Sequence, residues 1–395
     1  MTSEENEPKI FLARSTKPSA VRGRPWVFSN QIQFSAEVRN IAPGTVVRLA
    51  EPDGRLLGLY HFNPHSLIAA RLLTRNHSRA IDFRYFKERI EKALSLRERL
   101  IDRPYYRLVH GEGDFLPGLI IDRYGDSVVI QPNTAGMDAC KDLIIEAVQA
   151  VLKPKTIALI STGPARVLEG LEPLNEVPVG AVDGPVQLEE NGLTYFGDIT
   201  GGQKTGWFFD HRLNRAFVSR LSKGQDVLDL YTYAGAFAMA AAQGGANSVT
   251  AVDRSESALA LAAKAAEANG LADRVILQAS EVFEYLGNDT RHYGVVVADP
   301  PAFAKTRKDV PAAMKGYEKL ARLAVQRVAP DGLLCIASCS HHITAESFQE
   351  ATSAGIRTGG RAARLIHSAA AGPDHPVHPL LPQTAYLKFL VYALD

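Results

Sequence analysis

The chain has 395 residues, of which 46% are hydrophobic and 22% charged, and its formal net charge is +1. This composition excludes a disordered or fibrous protein, and at roughly 100 to 200 residues per domain the length predicts two or three globular domains. The near-neutral total hides a net charge of +8 over residues 9–80 and of −4 from residue 81 onward. A basic module on an acidic body is typical of nucleic-acid-binding proteins, although a solvated basic surface explains this charge about as well.

Cysteine usage and hydropathy indicate where the protein works. Three cysteines are an odd and sparse set, which favours a reducing cytoplasm over a disulfide framework. The first residues are acidic and polar, unlike a secretory signal, and we expect residues 1–8 to form a disordered N-terminus. The longest uncharged stretch, residues 230–252, contains glycines and polar residues and fits a helix, a turn and a strand better than a membrane span. We expect a cytoplasmic protein that does not enter a membrane.

The first predicted elements are short strands. Apolar, β-rich runs at 46–49, 56–62 and 67–73 are separated by Pro-Gly and Asp-Gly turns. This pattern is typical of a small β-barrel or sandwich, which we place at residues 9–78.

A mixed segment follows. Residues 81–100 have apolar positions at helical spacing, and this helix is expected to end before Pro104. A hairpin is predicted at 119–131, a helix at 141–153, and further short strands up to about residue 192.

From about residue 224 strands and helices alternate. Such alternation specifies a parallel sheet with helices on both faces, and therefore an α/β fold. The predicted strands are 227–231, 248–253, 274–278, 294–299 and 333–338, and the predicted helices are 236–243, 256–269 and 312–329.

Ligands of such sheets bind at the carboxyl ends of the strands, so the residues there are the first candidates for a site. Gly235 follows the first strand, without the two further glycines of a dinucleotide fingerprint. Asp253 ends the second strand, 24 residues after Asp229, where a carboxylate can accept both hydroxyls of a ribose. The sequence thus predicts an adenosine-like ligand without a phosphate cradle. The alternative for Asp253 is a helix N-cap, a role that Ser255 can fill instead.

The fourth and fifth strands end in residues suited to chemistry. Two prolines follow Asp299 and fix the backbone that holds this acid at the sheet edge. Cys339 follows the fifth strand and is a candidate nucleophile if its surroundings lower its pKa. Cys335 lies inside the apolar run and is interpreted as a core residue.

Further polar residues precede the sheet. Lys204, His211 and Arg212 either steer an anionic carboxylate of a cofactor or lie in a solvated turn. Several histidines occur late in the chain, but no cysteine pair has zinc spacing and no carboxylate–histidine set accompanies them, so we expect no metal.

Taken together, six motifs resemble one known family, the bacterial large-subunit (23S) ribosomal RNA 5-methylcytosine methyltransferases. The motifs are GQKTGWFFDHRLNR, VLDLYTYAGAF, TAVDRSESAL, VVADPPAFAK, ASCSHHI and PDHPV. The resemblance implies a Rossmann-like class I methyltransferase sheet of seven strands, with an antiparallel last strand at 384–394. It also implies an N-terminal PUA-like β-barrel, a small α+β central domain, and S-adenosylmethionine as the cofactor. The implied division is an N-terminus at 1–8, a PUA-like RNA-binding domain at 9–78, a central domain at 79–192 and a methyltransferase domain at 193–395.

The same resemblance assigns residues to the cofactor. Asp229, Tyr231 and Gly235 match the first cofactor motif, and Asp253 matches the ribose-binding acid. Glu281 stands where the family usually has an aspartate beside the adenine. The remaining residues expected to bind the cofactor are Lys204, Arg212 and Asp299.

For the substrate, the resemblance makes Cys339 the nucleophile and Asp299 the acid that holds the base. Pro300 and Phe303 are expected to contact the RNA, the latter by stacking on the base. Arg22, Arg24 and Arg71 of the basic module are expected to bind flanking RNA. The implied partner is large-subunit ribosomal RNA.

Two other functions stay open. An Asp-Pro-Pro followed by an aromatic residue also resembles enzymes that methylate an exocyclic amino nitrogen of a base, which need no cysteine. The third hypothesis is an RNA-binding assembly factor whose methyltransferase fold is inactive. The sequence also leaves open whether the protein forms a homodimer.

Overall fold

The computed structural model describes residues 7–202 and 205–395. The chain divides into two compact units. The first consists of Met1–Gly184, Ile199–Trp207 and Pro373–Pro382, and the second of Pro185–Asp198, Phe208–Gly372 and Gln383–Asp395. Within the described residues, no helix combines the length and the apolar character that a membrane crossing requires.

The first unit begins with a five-stranded sheet and one short helix. Its elements are β1 (Lys9–Phe11), β2 (Trp26–Val27), α1 (Ala36–Arg39), β3 (Thr45–Ala50), β4 (Leu56–Phe62) and β5 (Ala70–Thr74). The strand order is β1-β3-β4-β5-β2, with β1 and β3 parallel and the other pairs antiparallel. Along β3 the buried Val47 and Leu49 flank the half-buried Arg48, as expected for a strand with one face on a core.

The start of this unit bears on the disorder expected for residues 1–8. Glu7 forms an ion pair with Arg48 at 3.0 Å, and the carbonyl oxygen of Pro8 accepts a hydrogen bond from the Arg48 backbone N–H. Glu7 and Pro8 therefore contact β3, and the expectation of a disordered N-terminus over residues 1–8 stays a prediction. Residues 1–6 lie outside the described part of the chain.

A second sheet in the same unit is covered by helices. Its elements are α2 (Phe83–Leu100), β6 (Tyr105–His110), β7 (Leu119–Tyr124), β8 (Ser127–Pro132), α3 (Ala135–Ala139), α4 (Lys141–Leu152), β9 (Thr156–Ser161), α5 (Pro164–Leu168) and β10 (Leu174–Val179). The strand order is β10-β9-β8-β7-β6. Asp82 caps α2 by accepting a hydrogen bond from the backbone N–H of Tyr85 at 3.0 Å. The hairpin predicted at 119–131 corresponds to β7 and β8, and the helix predicted at 141–153 corresponds to α4. The predicted outer ends agree to within one residue.

The second unit contains a hairpin and a large α/β sheet. Its strands are β11 (Val186–Glu190), β12 (Leu193–Gly197), β13 (Asp226–Leu230), β14 (Ser248–Asp253), β15 (Val275–Ala279), β16 (Tyr293–Ala298), β17 (Val328–Ser338), β18 (Ala363–Ala369) and β19 (Lys388–Leu394). Its helices are α6 (Arg212–Leu221), α7 (Ala236–Gln243), α8 (Glu256–Ala268), α9 (Val282–Asn288), α10 (Val310–Val325) and α11 (Ala345–Thr358).

The seven-stranded sheet has the order β15-β14-β13-β16-β17-β19-β18. β19 runs antiparallel to both of its neighbours, and the pairs among β13 to β17 are parallel. This confirms the Rossmann-like α/β fold and the antiparallel last strand. The chain leaves β13 toward β14 on one side and returns to β16 on the other, so a ligand crevice is expected at the carboxyl ends of β13 and β16.

The boundaries around β17 differ from those predicted. α10 ends at Val325 instead of residue 329, and β17 begins at Val328 instead of residue 333. Between Tyr293 and Val295 the pairing shifts by three residues on β17, and Asp331 there has a φ of +57°. Pro330-Asp331-Gly332 therefore forms a bulge inside the strand, whereas the predicted bounds placed these residues in the turn between helix and strand.

The elements that sequence patterns missed include the strand β18 and the helix α11. β18 is mostly exposed and so lacks the apolar run that marks a buried strand.

The division into domains at 9–78, 79–192 and 193–395 stays a prediction.

Candidate active site

The loop that follows β13 has an unusual backbone. Tyr231, Tyr233 and Gly235 all have positive φ, at 63°, 52° and 77°. A Cβ atom on Gly235 would lie 2.8 Å from the Cβ of Ala262, so only glycine fits there. Strained backbone of this kind persists where the surroundings enforce it, and it is concentrated at ligand sites.

Asp229 is the last residue but one of β13 and is buried. Its Oδ2 atom accepts a hydrogen bond from the Thr232 hydroxyl at 2.5 Å, while Oδ1 has no hydrogen-bond partner among the described residues. Burial raises the pKa of Asp229 to about 7, and the charges of Asp299 and Asp253 add to this increase. A ligand that brings a hydrogen-bond donor or a positive charge to this edge would therefore bind the unpartnered Oδ1 atom and reduce the repulsion among the three carboxyl groups.

Asp253 lies at the end of the neighbouring strand β14 and organises the same loop. Its Oδ2 atom accepts a hydrogen bond from the backbone N–H of Tyr233, and its Oδ1 atom accepts one from the backbone N–H of Ser255, both at 2.9 Å. The N-cap of α8 is Ser255, whose hydroxyl accepts from the backbone N–H of Ala258 at 3.3 Å. The alternative role considered for Asp253 thus belongs to Ser255.

The other residues predicted to bind the cofactor have different surroundings. Glu281 is exposed at the start of α9 and lies 3.5 Å from Arg254. Arg212 is buried and faces Glu190 at 3.8 Å, and Glu190 also binds Arg215 through both oxygens. Lys204 lies outside the described residues. The cofactor roles of these three residues stay predictions.

Asp299 lies at the crevice between β13 and β16. Its backbone N–H donates to the carbonyl oxygen of Leu230 at 3.3 Å, and its Oδ2 atom lies 3.3 Å from Nε2 of His211. The Nδ2 atom of Asn214 lies 3.0 Å from Nδ1 of His211. His211 thus lies between Asn214 and Asp299, with one ring nitrogen near each of them.

Cys339 follows β17, and a cluster of hydroxyls joins its loop to the loop after Asp299. The Ser338 hydroxyl donates to the Tyr317 hydroxyl at 2.9 Å, and the Tyr317 and Ser340 hydroxyls lie 3.1 Å apart. Ser340 Oγ also accepts from the backbone N–H of Ala304 at 3.3 Å. Tyr317 of α10 therefore fixes the half-buried Cys339 loop against the Asp299 loop.

Lys388 is a residue of this region that sequence reasoning missed. Its buried Nζ atom donates to the carbonyl oxygens of Ser340 and Ile343 at 2.6 and 2.8 Å. Burial lowers the pKa of Lys388 to about 8, and interaction with the Cys339 thiolate partly opposes this decrease. A lone lysine that opens the apolar run KFLVYAL was the available signal.

The remaining residues near these loops agree in part with expectation. The Phe303 ring lies 4.6 Å from the ring of Tyr317, centroid to centroid, and is half-buried, and Pro300 is buried. Cys335 is completely buried, which raises the pKa of its thiol and agrees with its interpretation as a core residue.

The arginines predicted to bind RNA belong to the first unit and are not equivalent. Arg22 is exposed and pairs with Glu51 at 2.7 Å, and Arg24 is exposed. The side chain of Arg71 is only 14% exposed and lies 3.1 Å from both Glu112 and Glu169. The buried Glu169 and the half-buried Glu112 thus hold Arg71 within the first unit, and its role in RNA binding stays a prediction.

Comparison with known proteins decides the family. A model of the S-adenosylmethionine-dependent methyltransferases matches residues 173–387, and a model of the PUA-like domain matches residues 10–75. The ribosomal RNA large subunit methyltransferase I of Tolumonas auensis is 35% identical over 393 residues, covering 97% of this chain and 98% of the relative. That of Pseudoalteromonas atlantica is 32% identical over 390 residues, with the same coverage. The chain belongs to this family of S-adenosylmethionine-dependent methyltransferases.

Solved structures agree with the fold of this methyltransferase. A Streptococcus mutans protein assigned as an S-adenosylmethionine-dependent methyltransferase has a TM-score of 0.82 at 22% identity, covering 98% of this chain and all of the other. A related methyltransferase structure complexed with S-adenosylhomocysteine has a TM-score of 0.84 at 23% identity, with the same coverage. The family match makes S-adenosylmethionine the cofactor. The unpartnered Asp229 oxygen and the close approach at Gly235 fit a cationic, hydroxyl-bearing ligand of this kind.

Proposed function

We propose that this methyltransferase forms 5-methylcytosine in large-subunit ribosomal RNA, with Cys339 as the nucleophile. The observation that carries the proposal is that Asp299 and Cys339 follow adjacent parallel strands, and that Tyr317 and Ser340 join the two loops. An acid and a thiol held side by side at a ligand crevice suit attack on a pyrimidine ring. The names of the curated relatives support ribosomal RNA of the large subunit as the substrate.

The thiol is needed because C5 of cytosine is a weak nucleophile. The Cys339 thiolate forms a bond to C6, and the electron pair of the C5–C6 double bond moves toward C5 and N3. When bound, S-adenosylmethionine supplies an electrophilic methyl group to the activated C5. A base then removes the C5 proton, the electron pair restores the double bond, and the bond between C6 and sulfur breaks.

Asp299 stabilises the ring during this sequence. Its carboxyl group holds the N3/N4 edge of the cytosine and favours the sharing of a proton at N3, where negative charge develops. Nε2 of His211, 3.3 Å from Oδ2, would help to hold that oxygen and leave the other one for the base.

Lys388 prepares the nucleophile. Its two hydrogen bonds to carbonyl oxygens fix the loop that carries Cys339, and its ammonium charge favours the thiolate over the thiol. The pKa of Lys388, about 8, leaves it largely protonated at neutral pH.

Asp229, Gly235 and Asp253 would hold the cofactor, and Phe303 would stack on a base that has left the RNA stack. Asp253 would accept hydrogen bonds from the ribose hydroxyls, and this is supported by its two oxygens, each of which accepts one hydrogen bond from an N–H group and retains a lone pair.

The first test uses RNA that contains 5-fluorocytosine, with S-adenosylmethionine and either the wild type or Cys339→Ala. Fluorine at C5 cannot leave as a proton does, so the adduct persists and a covalent protein–RNA complex should form with the wild type alone. Cys140→Ala is the matched control, because Cys140 is also half-buried but belongs to the first unit, and it should still form the complex.

A second readout separates the competing functions. RNA labelled with tritium at cytosine C5 should release tritium in step with methylation, and Cys339→Ala should stop both. Methylation without tritium release would indicate an exocyclic amino nitrogen as the acceptor. RNA binding without any methylation would indicate an inactive assembly factor, and either result would overturn the proposal.

A further inference from the structure

Phe115 of the first unit combines exposure with backbone strain. It is 51% exposed and has a φ of +60° and a ψ of +30°, in the left-handed region that disfavours bulky residues. It follows a 3-10 turn at Gly111–Asp114, in which Arg97 binds both carboxylate oxygens of Asp114 at 2.7 and 2.6 Å. This buried ion pair enforces the turn. A glycine or asparagine would fit this backbone better, and about half of the Phe115 side chain is exposed, so packing alone does not explain the ring.

A cation and a second ring accompany Phe115. The Arg89 guanidinium lies 5.2 Å from the centroid of the Phe115 ring, and the ring of His378 approaches it edge-on at 5.9 Å. An arginine over an aromatic face is the pair that commonly stacks with bases and contacts phosphates in complexes with single-stranded nucleic acid.

The same surface continues to the basic module. The Leu380 backbone N–H donates to Nδ1 of His378 at 3.1 Å, and Leu380 is 43% exposed. A Cβ atom on Gly23 would lie 3.2 Å from Cδ1 of Leu380 and 2.9 Å from an Nη atom of Arg75. Arg75 and Leu380 therefore adjoin Gly23 and its neighbour Arg24.

Positive charge on this surface is not cancelled. Arg24 and Arg75 are exposed, and neither has an ion pair among the residues that the structure describes. Glu112, an acid near His378, is already engaged by Arg71 and by the Trp26 indole N–H, at 3.1 and 2.6 Å. Arginines here lie beside the exposed ring of Phe115 and the exposed Leu380, a combination that fits a polyanion with flat bases better than a protein partner.

We propose that Arg24, Arg75, Arg89, Phe115, His378 and Leu380 form a binding surface for single-stranded RNA, named here the Phe115 surface. Phe115 is the stacking platform for one base, and the arginines contact the phosphates on either side. The inference rests on the proposed function for its substrate class, and it extends the RNA contacts beyond the basic module to residues from three separate parts of the first unit.

The test measures binding of fluorescein-labelled single-stranded and duplex RNA to the full-length protein at several salt concentrations. Phe115→Ala should weaken single-strand binding about tenfold, because loss of one base–aromatic stack has an effect of this order, and Phe115→Trp should restore it. Arg24→Gln and Arg75→Gln should each reduce the slope of the logarithm of the binding constant against the logarithm of the salt concentration, by about one released counterion.

Two controls match these variants. Phe28→Ala removes a ring that is 36% exposed on the same unit, and Arg39→Gln removes an arginine that lies 5.0 Å from the ring of Phe34. Both should bind RNA as the wild type does. Phe115→Gly separates folding from binding, since it should raise the melting temperature by relieving strain while it weakens RNA binding.

Two results would overturn the proposal that the Phe115 surface binds RNA: an RNA affinity of Phe115→Ala equal to that of the wild type, or an equal loss of affinity in Phe28→Ala. The first result would also be found if the surface binds a protein instead. An equal loss for duplex RNA would overturn the assignment to single strands. If the wild type methylates RNA while Phe115→Ala binds normally, only this inference fails. If the wild type methylates no RNA, the proposed function fails and the binding result still decides this inference.

Discussion

The two halves of the seven-stranded sheet hold their polar residues in different ways. At β13 and β14 the decisive contacts are short in sequence: Asp229 binds Thr232 three residues on, and Asp253 binds the backbone of Tyr233, 20 residues away. At β16 and β17 the contacts join distant segments, as when Lys388 binds the carbonyl oxygen of Ser340 over 48 residues. The first half is thus held by contacts over 3 and 20 residues, and the second by hydrogen bonds that span 21 to 48 residues.

This difference predicts that the halves can be impaired separately. Substitutions in the first half should weaken cofactor binding, whereas substitutions in the second should slow the chemical step with the cofactor still bound.

The largest effect is expected for Asp299→Asn. An amide cannot favour a shared proton at N3 as a carboxylate does, so kcat should fall by about 10²- to 10³-fold, the order seen when one stabilising group is removed from an active site. If Asp299 acts on the base and not also on the cofactor, as the resemblance implied, titration calorimetry should find the Kd for S-adenosylmethionine within about threefold of the wild type. The matched variant Asp229→Asn should show the reverse, a weaker Kd with a smaller loss of kcat. If both variants lost affinity alike, the halves would not be separable.

Lys388→Met should have the next largest effect. Loss of the ammonium removes a favourable partner of the Cys339 thiolate, so the thiol pKa should rise and alkylation of Cys339 at pH 7 should slow about tenfold per pKa unit. Mass spectrometry of the Cys339 peptide against pH measures this shift. Lys388→Arg should restore most of the reactivity, and a purely structural role would be indicated if both variants kept the wild-type pH profile.

The smallest effect concerns stability without cofactor. Because burial raises the pKa of Asp229 to about 7 from an ordinary value of 3.8, the folded protein keeps a proton that the unfolded chain has lost between those values. The contribution of this carboxyl to the free energy of unfolding therefore decreases as pH rises from about 4 to 7. Asp229→Asn should be more stable than the wild type by about 1 kcal/mol at pH 8, since the amide avoids part of the cost of a buried charge.

At pH 4 this gain should vanish, which urea denaturation at both pH values can test. A gain of equal size at the two pH values would show that ionisation of Asp229 is not its cause.

Much of the fold follows from patterns that lie within single segments. The hairpin at β7 and β8, the helix α4, and the strands from β13 to β16 have apolar periods and turn residues that identify them without tertiary information. Strand β18 was not predicted, because an exposed strand has no apolar period. The start of β17 was predicted too late, because residues typical of a turn form a bulge inside that strand.

In the candidate site, too, local sequence patterns identify some residues and miss others. Asp229, Asp253, Asp299 and Cys339 could be chosen from sequence because strand ends converge on one edge of a parallel sheet. The roles of Tyr317 and Lys388 could not, because they depend on hydrogen bonds between segments whose approach no local pattern encodes. Arg71 is the opposite case, since its charge suggested RNA and its two carboxylate partners became visible only in the folded unit.

By itself, then, the sequence determined the α/β class, the order of the strands along the chain and the residues at their carboxyl ends, since these depend on periodicity and short-range turns. The tertiary structure alone decided which arginines stay exposed, which lysine reaches the cysteine loop and that Phe115 meets Arg89 and His378. Charge and hydrogen-bonding capacity are properties of single residues. Whether a side chain is paired within the protein or remains able to bind a ligand depends on the neighbours that folding brings to it.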